Sequence, residues 1–396
     1  MLTVEIDPAE AGFDARRLAR VDTHFARYVD EGKLPGFLAV IARDGRVAHV
    51  AKGGMADIEA GRAVTDDTLW RIYSMTKPIT SVAAMLLWEE GAFELKDPVA
   101  KFIPAFKDAR VWAGGNQNSP VTRPAVEPVR IWHLLTHTAG LTYGFHYAHP
   151  LDGVYRAHGY EFGSRESLED TVDAFAELPL LFEPGTEFNY SVATDVLGRV
   201  IEVLSGQPLD AFLQERIFAP LGMTDTAFSA VDPDRLAALY EPSLKRNDRF
   251  GQAALHAPEM LSGGGGLVGT AADYHRFTSM LVDEGAPLLA PRTLRYMARN
   301  HLPGGAELKD IARPTISETQ NDGMGFGLGF SVVLDPAATK IATAPGEIAW
   351  GGLASTAFWV SPQDRLSVQF FTQLIPSSTY PLRSQLRQLV YQAMTD

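Results

Sequence analysis

Ser74 and Lys77 lie three positions apart where a helix is predicted to begin. The stretch RIYSMTKPITSVAAMLLWEEG predicts a helix after Ser74, because its apolar residues repeat with helical spacing and Gly91 is placed to end it. Residues three apart share one face of a helix, so the Lys77 amine can reach the Ser74 hydroxyl. A neutral amine can accept the serine proton, and N–H groups at a helix start favour negative charge on an acyl carbonyl. The pair is therefore predicted to be a nucleophile and its base.

The same two residues also have an ordinary structural interpretation. Ser-x-x-Lys occurs often by chance, with the serine capping a helix and the lysine in solvent. Pro78 fits a first helical turn, but the residue before a proline disfavours the helical conformation. We therefore expect either a slightly strained Lys77 or a slightly shifted helix start.

Longer segments resemble the class C β-lactamase-like family of serine enzymes, which includes DD-peptidases and the family VIII carboxylesterases. The resemblance runs from about residue 15 to about residue 392, with the segments in the family's order. They are LWRIYSMTKPITSVAAMLLWEEGAFELKDPVAKFIP, VRIWHLLTHTAGL, FEPGTEFNYSVATDVLGRVIEVLSGQPL, IFAPLGMTDTAF and SGGGGLVGTAADYHRF. The resemblance implies that Ser74 is the nucleophile and Lys77 its partner.

The family's second motif is Tyr-x-Asn, or Tyr-Ser-x in the esterases, and here it reads Tyr190-Ser191-Val192. The resemblance implies that Tyr190 shares proton transfer with Lys77, because a phenolate stabilised by a nearby cation is a strong base. It places Val192 at a substrate-binding position where lactamases carry asparagine. The structural alternative is a tyrosine that caps the following helix.

The third motif is Lys-Thr-Gly or His-x-Gly in lactamases and peptidases, and its best match here is Trp350-Gly351-Gly352. The resemblance implies that these three residues bind substrate and that the N–H groups of Ser74 and Leu353 form the oxyanion hole. Tryptophan in place of a cation is similar to the esterase branch. The alternative is an ordinary buried tryptophan beside a bulge.

Aromatic residues are numerous near the predicted site, and an aromatic pocket suits an apolar acyl or alcohol group. Of these aromatic residues, Tyr143 is also predicted to bind substrate, although core packing is the usual role of any single aromatic side chain. The full set is Tyr143, Phe145, Tyr147, Phe326 and Trp350.

Other chemistries find little support in the sequence. Gly-x-Ser-x-Gly is absent, and the nearest match, Gly329-Phe330-Ser331, is followed by two valines. His133 and His137 are four apart, but HLLTH lacks the glutamate of a zincin, so a structural role is expected. SGGGGLVGT has no following Lys-Ser/Thr and predicts flexible backbone near a cleft. No metal and no organic cofactor is predicted.

Composition narrows the partners and the compartment. The chain has 396 residues, a net charge of −13 and no cysteine. An acidic protein is a poor partner for nucleic acid or an anionic membrane surface, and cysteine chemistry is excluded. No signal-peptide pattern or membrane-spanning stretch is found, so a cytoplasmic protein with a small-molecule ester substrate is expected. The sequence does not determine the oligomeric state.

Strand patterns cluster at both ends of the chain, and helical patterns fill its middle. Asp44-Gly45 between β-rich runs predicts a hairpin. We therefore predict an α+β fold in which N- and C-terminal strands share one antiparallel sheet, flanked by helices. The single domain 1–396 would have an α/β lobe of approximately 1–75 and 260–396 and a mainly helical lobe of approximately 76–259. Residues 112–128 and 300–325 are predicted to be long loops.

The combined prediction is a serine carboxylesterase that hydrolyses small or medium acyl esters through an acyl-enzyme on Ser74. An acyltransferase on the same scaffold is the first alternative, and a β-lactamase or D-amino-acid peptidase is the second. A non-enzymatic scaffold protein is disfavoured, because Ser74, Lys77 and Tyr190 occur together.

Overall fold

An eight-stranded antiparallel sheet lies at the centre of the molecule. The structure is a computed structural model, and it describes residues 2–313 and 321–395. The strands are β1 (Gly36–Arg43), β2 (Arg46–Asp57), β3 (Arg62–Ala63), β4 (Leu69–Arg71), β5 (Arg110–Asn116), β6 (Ser119–Pro124), β7 (Tyr240–Glu241), β8 (Lys245–Arg246), β9 (Val268–Thr270), β10 (Met324–Phe326), β11 (Ser331–Val333), β12 (Ile348–Gly351), β13 (Ala357–Ser361) and β14 (Leu366–Phe371). The order in the large sheet is β10-β11-β12-β13-β14-β1-β2-β3. The predicted α+β fold, with strands from both ends of the chain in one sheet, is confirmed.

The two ends of the chain meet where β1 pairs with β14. Val40 lies opposite Gln369 of β14 and opposite Val50 of β2. The β1–β2 hairpin turns at Asp44 and Gly45, which have φ angles of 53° and 72°. Both angles are those of the two-residue turn that an Asp-Gly pair favours, so the predicted hairpin is present.

Helices cover both faces of this sheet. They are α1 (Ala15–Leu18), α2 (Arg20–Asp30), α3 (Thr76–Glu89), α4 (Ile131–Leu135), α5 (Pro150–Ala157), α6 (Leu168–Glu177), α7 (Ala193–Ser205), α8 (Leu209–Leu213), α9 (Ala219–Leu221), α10 (Asp248–Gly251), α11 (Ala271–Val282), α12 (Pro291–Met297), α13 (Leu308–Ile311), α14 (Pro336–Thr339) and α15 (Leu382–Tyr391). One core cluster joins α2 and α15 to Ile41 and Trp359 on one face, and a larger cluster joins α3, α7 and α11 to the other face.

Helix α3 is the central helix of the larger cluster. Every residue from Thr76 to Leu87 is buried, so the helix is enclosed on all sides rather than amphipathic. It ends at Glu89, and Gly91 follows with a φ angle of 76°, as the sequence predicts. Pro78 lies in the first turn, where a missing N–H is tolerated.

The predicted loop at 112–128 is wrong, because most of it forms the hairpin β5–β6. Asn116 Oδ1 accepts hydrogen bonds from the N–H groups of Asn118 and Ser119, at 2.9 and 3.1 Å, which closes the turn. Most of the hairpin's side chains are exposed. Alternation of apolar and polar residues, which marks a half-buried strand, is therefore missing from this sequence.

The predicted loop at 300–325 is wrong in part. It contains a 3₁₀ turn at Pro303–Gly305 and helix α13, and β10 begins before its end. Residues 314–320 of this prediction lie outside the described residues.

The division into two lobes stays a prediction. Every strand of the large sheet falls within 36–63 or 324–371, and α3 to α10 fall within 76–259. In the described part of the chain, no helix has the length and apolar character needed to cross a bilayer.

Candidate active site

Ser74 lies in a 3₁₀ turn, Tyr73–Met75, directly before α3. Tyr73 has a φ angle of 43°, in the left-handed region that costs a non-glycine residue about 1–3 kcal/mol. The turn is held by the Tyr274 hydroxyl, which donates to the Met75 carbonyl at 3.0 Å. The alternative in which Ser74 caps the helix is wrong: Met75 precedes α3, and no side chain caps it. The strained turn leaves the Ser74 side chain half-buried at the start of the helix.

Two functional groups meet at the Ser74 Oγ. The Tyr190 hydroxyl donates to it at 2.6 Å, and Lys77 Nζ donates to it at 3.3 Å. Lys77 is 1% exposed, which excludes the alternative of a solvated lysine. Tyr190 lies three positions before the first residue of α7 and 116 positions from Ser74, so the fold brings the three predicted catalytic residues together.

Lys77 has an acceptor for each proton of an ammonium group. Besides Ser74 Oγ, its Nζ donates to the Tyr143 hydroxyl at 2.9 Å and to the Gly264 carbonyl at 2.6 Å. Its Nζ also lies 4.6 Å from the centroid of the Tyr190 ring. This arrangement suits a positively charged Lys77 beside Tyr190.

Asp195, in the first turn of α7, anchors the glycine segment, residues 262–266, which supplies the Gly264 carbonyl to Lys77. Asp195 Oδ1 accepts from the Ser262 hydroxyl at 2.6 Å and from the Gly264 N–H at 3.0 Å. A Cβ at position 264 would lie 2.8 Å from Asp195 Oδ2, so the close approach requires glycine. Burial raises the pKa of Asp195, and the Lys77 charge opposes that rise. The sequence predicts a glycine segment near the cleft but not this carboxylate.

Two histidine side chains also lie beside Tyr190. The His137 ring packs against it at 4.9 Å, and His146 Nε2 lies 2.6 Å from the Tyr190 carbonyl. Burial holds the pKa of His137 well below its usual value, and the Lys77 charge lowers it further. Burial raises the pKa of Tyr143 well above its usual value, with negative charge on Tyr190 and Asp195 adding to the rise. Lys77 is therefore the nearest cation to Tyr190 in this group.

The predicted substrate-binding residues differ in accessibility. Tyr143 is half-buried and contacts Lys77. Trp350 is 8% exposed, and its ring lies 5.3 Å from both the Tyr190 and Phe326 rings. Val192 is 4% exposed and immediately precedes α7. Trp350 thus supports the Tyr190 ring, and contact of these side chains with a substrate stays a prediction.

Gly352 allows the turn after β12 to approach the Ser74 segment. A Cβ at this position would collide with the Ile72 carbonyl, two residues before Ser74. The Gly352 N–H donates to the Thr356 carbonyl at 2.8 Å, which closes the turn around Leu353. Within the described part of the chain, the N–H groups of Ser74 and Leu353 donate to no protein acceptor. Both are thus available to the oxyanion predicted for them.

Arg383 of α15 brings a positive charge to this motif that the sequence did not predict. Its Nη2 donates to the carbonyls of Thr356 and Gly352, at 2.8 and 3.4 Å. A Cβ at Gly351 would overlap the same guanidinium, so this second glycine makes room for it. Although Trp350 stands where lactamases carry a cation, Arg383 therefore still supplies a positive charge beside the motif.

The remaining candidate groups make structural contacts. His133 Nδ1 accepts from the Arg130 N–H at 3.0 Å, and His137 Nδ1 lies 3.3 Å from Ser191 Oγ. Ser331 is buried, and its hydroxyl donates to the Ala349 carbonyl at 2.9 Å. Among the described residues, no group of three or more histidines and carboxylates is arranged to hold a metal.

The fold is that of a family of serine hydrolases. A sequence profile of the family described as Beta-lactamase matches residues 21–392. The chain belongs to the beta-lactamase family.

Individual relatives cover nearly the whole chain. Esterase EstB of Burkholderia gladioli is 33% identical, over 99% of this chain and all of that protein. Acyltransferase calJ of Penicillium decumbens is 30% identical, over 78% of this chain and 77% of that protein. The solved structure of EstCE1, described as a hydrolase with promiscuous acyltransferase activity, is 32% identical with a TM-score of 0.81. That match covers 95% of this chain and 98% of EstCE1.

Proposed function

We propose that this protein is a serine carboxylesterase of the Ser-Lys-Tyr type, similar to the family VIII enzymes. The observation that carries the proposal is the pair of contacts at Ser74 Oγ, from Tyr190 at 2.6 Å and from Lys77 at 3.3 Å. The full-length similarity to an esterase supports the ester as substrate. The substrates are esters with small or medium acyl groups.

The reactive form of the site is the one in which Tyr190 has lost its proton, and the Lys77 ammonium stabilises that phenolate. The Ser74 hydroxyl then donates to Tyr190 instead of accepting from it, and acylation begins when the Ser74 proton passes to the phenolate oxygen. The freed Oγ attacks the ester carbonyl carbon, and the carbonyl oxygen becomes an oxyanion. The N–H groups of Ser74 and Leu353 donate to that oxyanion. Tyr190 then returns its proton to the departing alcohol oxygen as the C–O bond breaks, which leaves an acyl-enzyme on Ser74.

Deacylation repeats these steps with water. Tyr190 accepts a water proton, and the hydroxide oxygen attacks the acyl carbon in the same oxyanion hole. Collapse of the intermediate breaks the bond to Ser74 Oγ, and Tyr190 returns the proton to that oxygen. Every step uses only groups of this chain and one water molecule.

Esters are preferred to lactams because two lactamase groups are replaced. Val192 stands where lactamases carry an asparagine amide, and Trp350 stands where they carry a cation. A charge-assisted hydrogen bond contributes about 1.5–3 kcal/mol, so such losses lower lactam turnover roughly tenfold to several hundredfold. Arg383 lies near the motif, but its Nη2 donates to the Thr356 and Gly352 carbonyls.

The test is kcat/KM for p-nitrophenyl butyrate and for nitrocefin on one preparation, with Ser74→Ala as the control. We expect ester turnover to exceed nitrocefin turnover at least tenfold and to be lost in the variant. Equal or faster nitrocefin turnover would reject the esterase in favour of a lactamase.

Acyl transfer to an alcohol is a second candidate, which the similarity to calJ and EstCE1 favours. The acyl-enzyme on Ser74 is common to both reactions, and only the second acceptor differs. The test adds methanol to a p-nitrophenyl butyrate reaction. The ratio of methyl butyrate to butyric acid then separates acyl transfer from hydrolysis. An ester fraction above that of uncatalysed methanolysis would establish transfer.

A further inference from the structure

Four aromatic side chains form a continuous line of ring contacts that begins at the candidate active site. The Tyr143 and Phe145 rings stack with centroids 4.5 Å apart, and the Phe145 and Phe162 rings stack at 5.4 Å. Phe162 meets Phe250 edge to face at 4.8 Å. We call Tyr143, Phe145, Phe162 and Phe250 the aromatic wall.

The wall is accessible along its length. Phe162 is 47% exposed, and the other three residues are half-buried. By contrast, Phe326 and Trp350, which also lie near Tyr190, are 0% and 8% exposed. Phenylalanine is ordinarily buried, so a contiguous run of accessible aromatic rings beside a reactive serine marks a surface that binds an apolar group.

Contacts at both ends of the wall link it to the predicted site. At one end, the Tyr143 hydroxyl accepts from Lys77 Nζ at 2.9 Å. At the other end, Phe250 packs against a small buried cluster, and Tyr73 and Leu353 pack against the same cluster. Tyr73 adjoins Ser74, and Leu353 carries the proposed oxyanion donor. The wall therefore contacts Lys77 at one end, and at the other end it shares a buried cluster with residues next to Ser74 and in the turn after β12.

Segments far apart in the sequence build the wall. Phe145 lies in a 3₁₀ turn before α5, Phe162 lies between α5 and α6, and Phe250 lies in α10. Phe162 and Phe250 were not predicted for the site, and Tyr147, which was, is 64% exposed and stacks under Arg156 instead.

We propose that the aromatic wall binds an extended apolar group of the ester and sets a preference for longer over shorter esters. This inference rests on the proposed esterase function and names the residues that select its substrate. The reacting carbonyl lies at Ser74, and the apolar group of the acyl or the alcohol half packs along Phe145 and Phe162. Each methylene buried there raises kcat/KM about fourfold.

Two ester series measure the preference and assign the half of the ester that contacts the wall. The acyl series compares p-nitrophenyl acetate with p-nitrophenyl hexanoate, and the alcohol series compares methyl with hexyl butyrate. Phe162→Ala, Phe145→Ala and Phe162→Leu are the test variants. Tyr296→Ala is the matched control, because Tyr296 is 39% exposed and stacks on Trp88 at the opposite end of α3 from Ser74.

In one series, Phe162→Ala and Phe145→Ala should each lower the long-to-short ratio of kcat/KM about fourfold or more. Turnover of the short ester should fall by a smaller factor than turnover of the long ester. Phe162→Leu, which keeps apolar bulk, should retain most of the preference, and Tyr296→Ala should match the wild type.

The inference is overturned by unchanged ratios in both series, or by equal losses on short and long esters, which would mark a purely structural role. If one of the other variants fails to fold, Phe250→Ala replaces it, and the same long-to-short ratio of kcat/KM is measured. Acetate hydrolysis that survives Ser74→Ala would instead reject the proposed function, so the two failures are distinguishable.

Discussion

Lys77 and Tyr190 both reach the Ser74 Oγ, yet the hydrogen bonds assign them different tasks. The three acceptors around Lys77 Nζ match an ammonium, which has no lone pair to accept the serine proton. Tyr190 has the shorter contact with Ser74 and lies beside that positive charge. We therefore assign proton transfer to Tyr190 and charge stabilisation to Lys77, a narrower division than the shared role that the sequence predicts.

This division predicts that Lys77 and Tyr190 act as one unit. Lys77→Ala and Tyr190→Phe should each lower kcat about 10²- to 10⁴-fold, because each disables the same proton transfer. The double variant should be little worse than the poorer single variant, since the second substitution removes nothing further. The measurement is kcat for p-nitrophenyl butyrate, with unfolding followed by circular dichroism as the control. Two independent, multiplicative losses in folded proteins would show that the residues do not share a proton path.

Two connecting segments place these side chains, and both depend on glycine. The turn after β12 brings Leu353 towards Ser74 through Gly352, and the glycine segment presents the Gly264 carbonyl to Lys77. Asp195 fixes the second segment by accepting from its backbone. Asp195 lies in the first turn of α7, and Tyr190 lies just before that helix begins. The start of α7 therefore positions both the Gly264 carbonyl that contacts Lys77 and the Tyr190 hydroxyl that contacts Ser74.

Asp195→Asn should consequently impair catalysis more than its cost in stability explains. The amide loses charge-assisted hydrogen bonds from Ser262 and Gly264, which lowers the free energy of unfolding by about 1–3 kcal/mol. Displacement of the Gly264 carbonyl should also lower kcat/KM about ten- to a hundredfold.

Asp273→Asn is the matched control for this prediction. Asp273 is also buried in the first turn of a helix, α11, and accepts from the Asp225 N–H at 2.7 Å and the Thr226 hydroxyl at 2.9 Å. It should lose similar stability and keep its ester turnover. Equal kinetic losses in both variants would contradict a specific role for Asp195.

The sequence predicted the parts of the site that lie in contiguous motifs. Ser74, Lys77 and Tyr190 stand in segments whose order resembles the family, and helical spacing places Lys77 on the face of Ser74. Asp195 and Arg383 were missed because each reaches the site through a tertiary contact that no local spacing encodes.

The same limit applied to secondary structure. The α+β arrangement followed from strand patterns at both ends of the chain, because their alternation reflects burial on a sheet. Hairpin β5–β6 was missed because its side chains are mostly exposed and leave no such alternation. Phe162 was missed because it lies between elements, where no periodicity indicates what a side chain contacts.

At the scale of the whole molecule, burial disfavours the charged form of several histidines. Burial and the nearby Arg130 charge lower the pKa of His133 to about 3. Burial also lowers the pKa of His137, His146 and His275. In the unfolded chain a histidine titrates near its ordinary pKa of about 6.5. Between these values the unfolded state binds more protons, so acid favours unfolding.

The free energy of unfolding should therefore fall as the pH drops below about 6.5. His133 alone contributes about 1.4 kcal/mol per pH unit down to its folded pKa of about 3. The measurement is Tm at pH 7.5, 6 and 5. His133→Gln should give a shallower decline, and substitution of the exposed His256 by Gln should leave the slope unchanged. A wild-type Tm that is constant across this range would contradict the prediction.

Covalent labelling of Ser74 tests the central claim most directly. The protein is treated with a fluorophosphonate, its intact mass is measured, and the modified peptide is identified by tandem mass spectrometry. We expect one adduct per chain, on Ser74, formed in step with loss of p-nitrophenyl butyrate hydrolysis and much more slowly in Tyr190→Phe. An adduct on another residue, or full ester turnover by a protein labelled at Ser74, would contradict the assignment of Ser74 as the nucleophile.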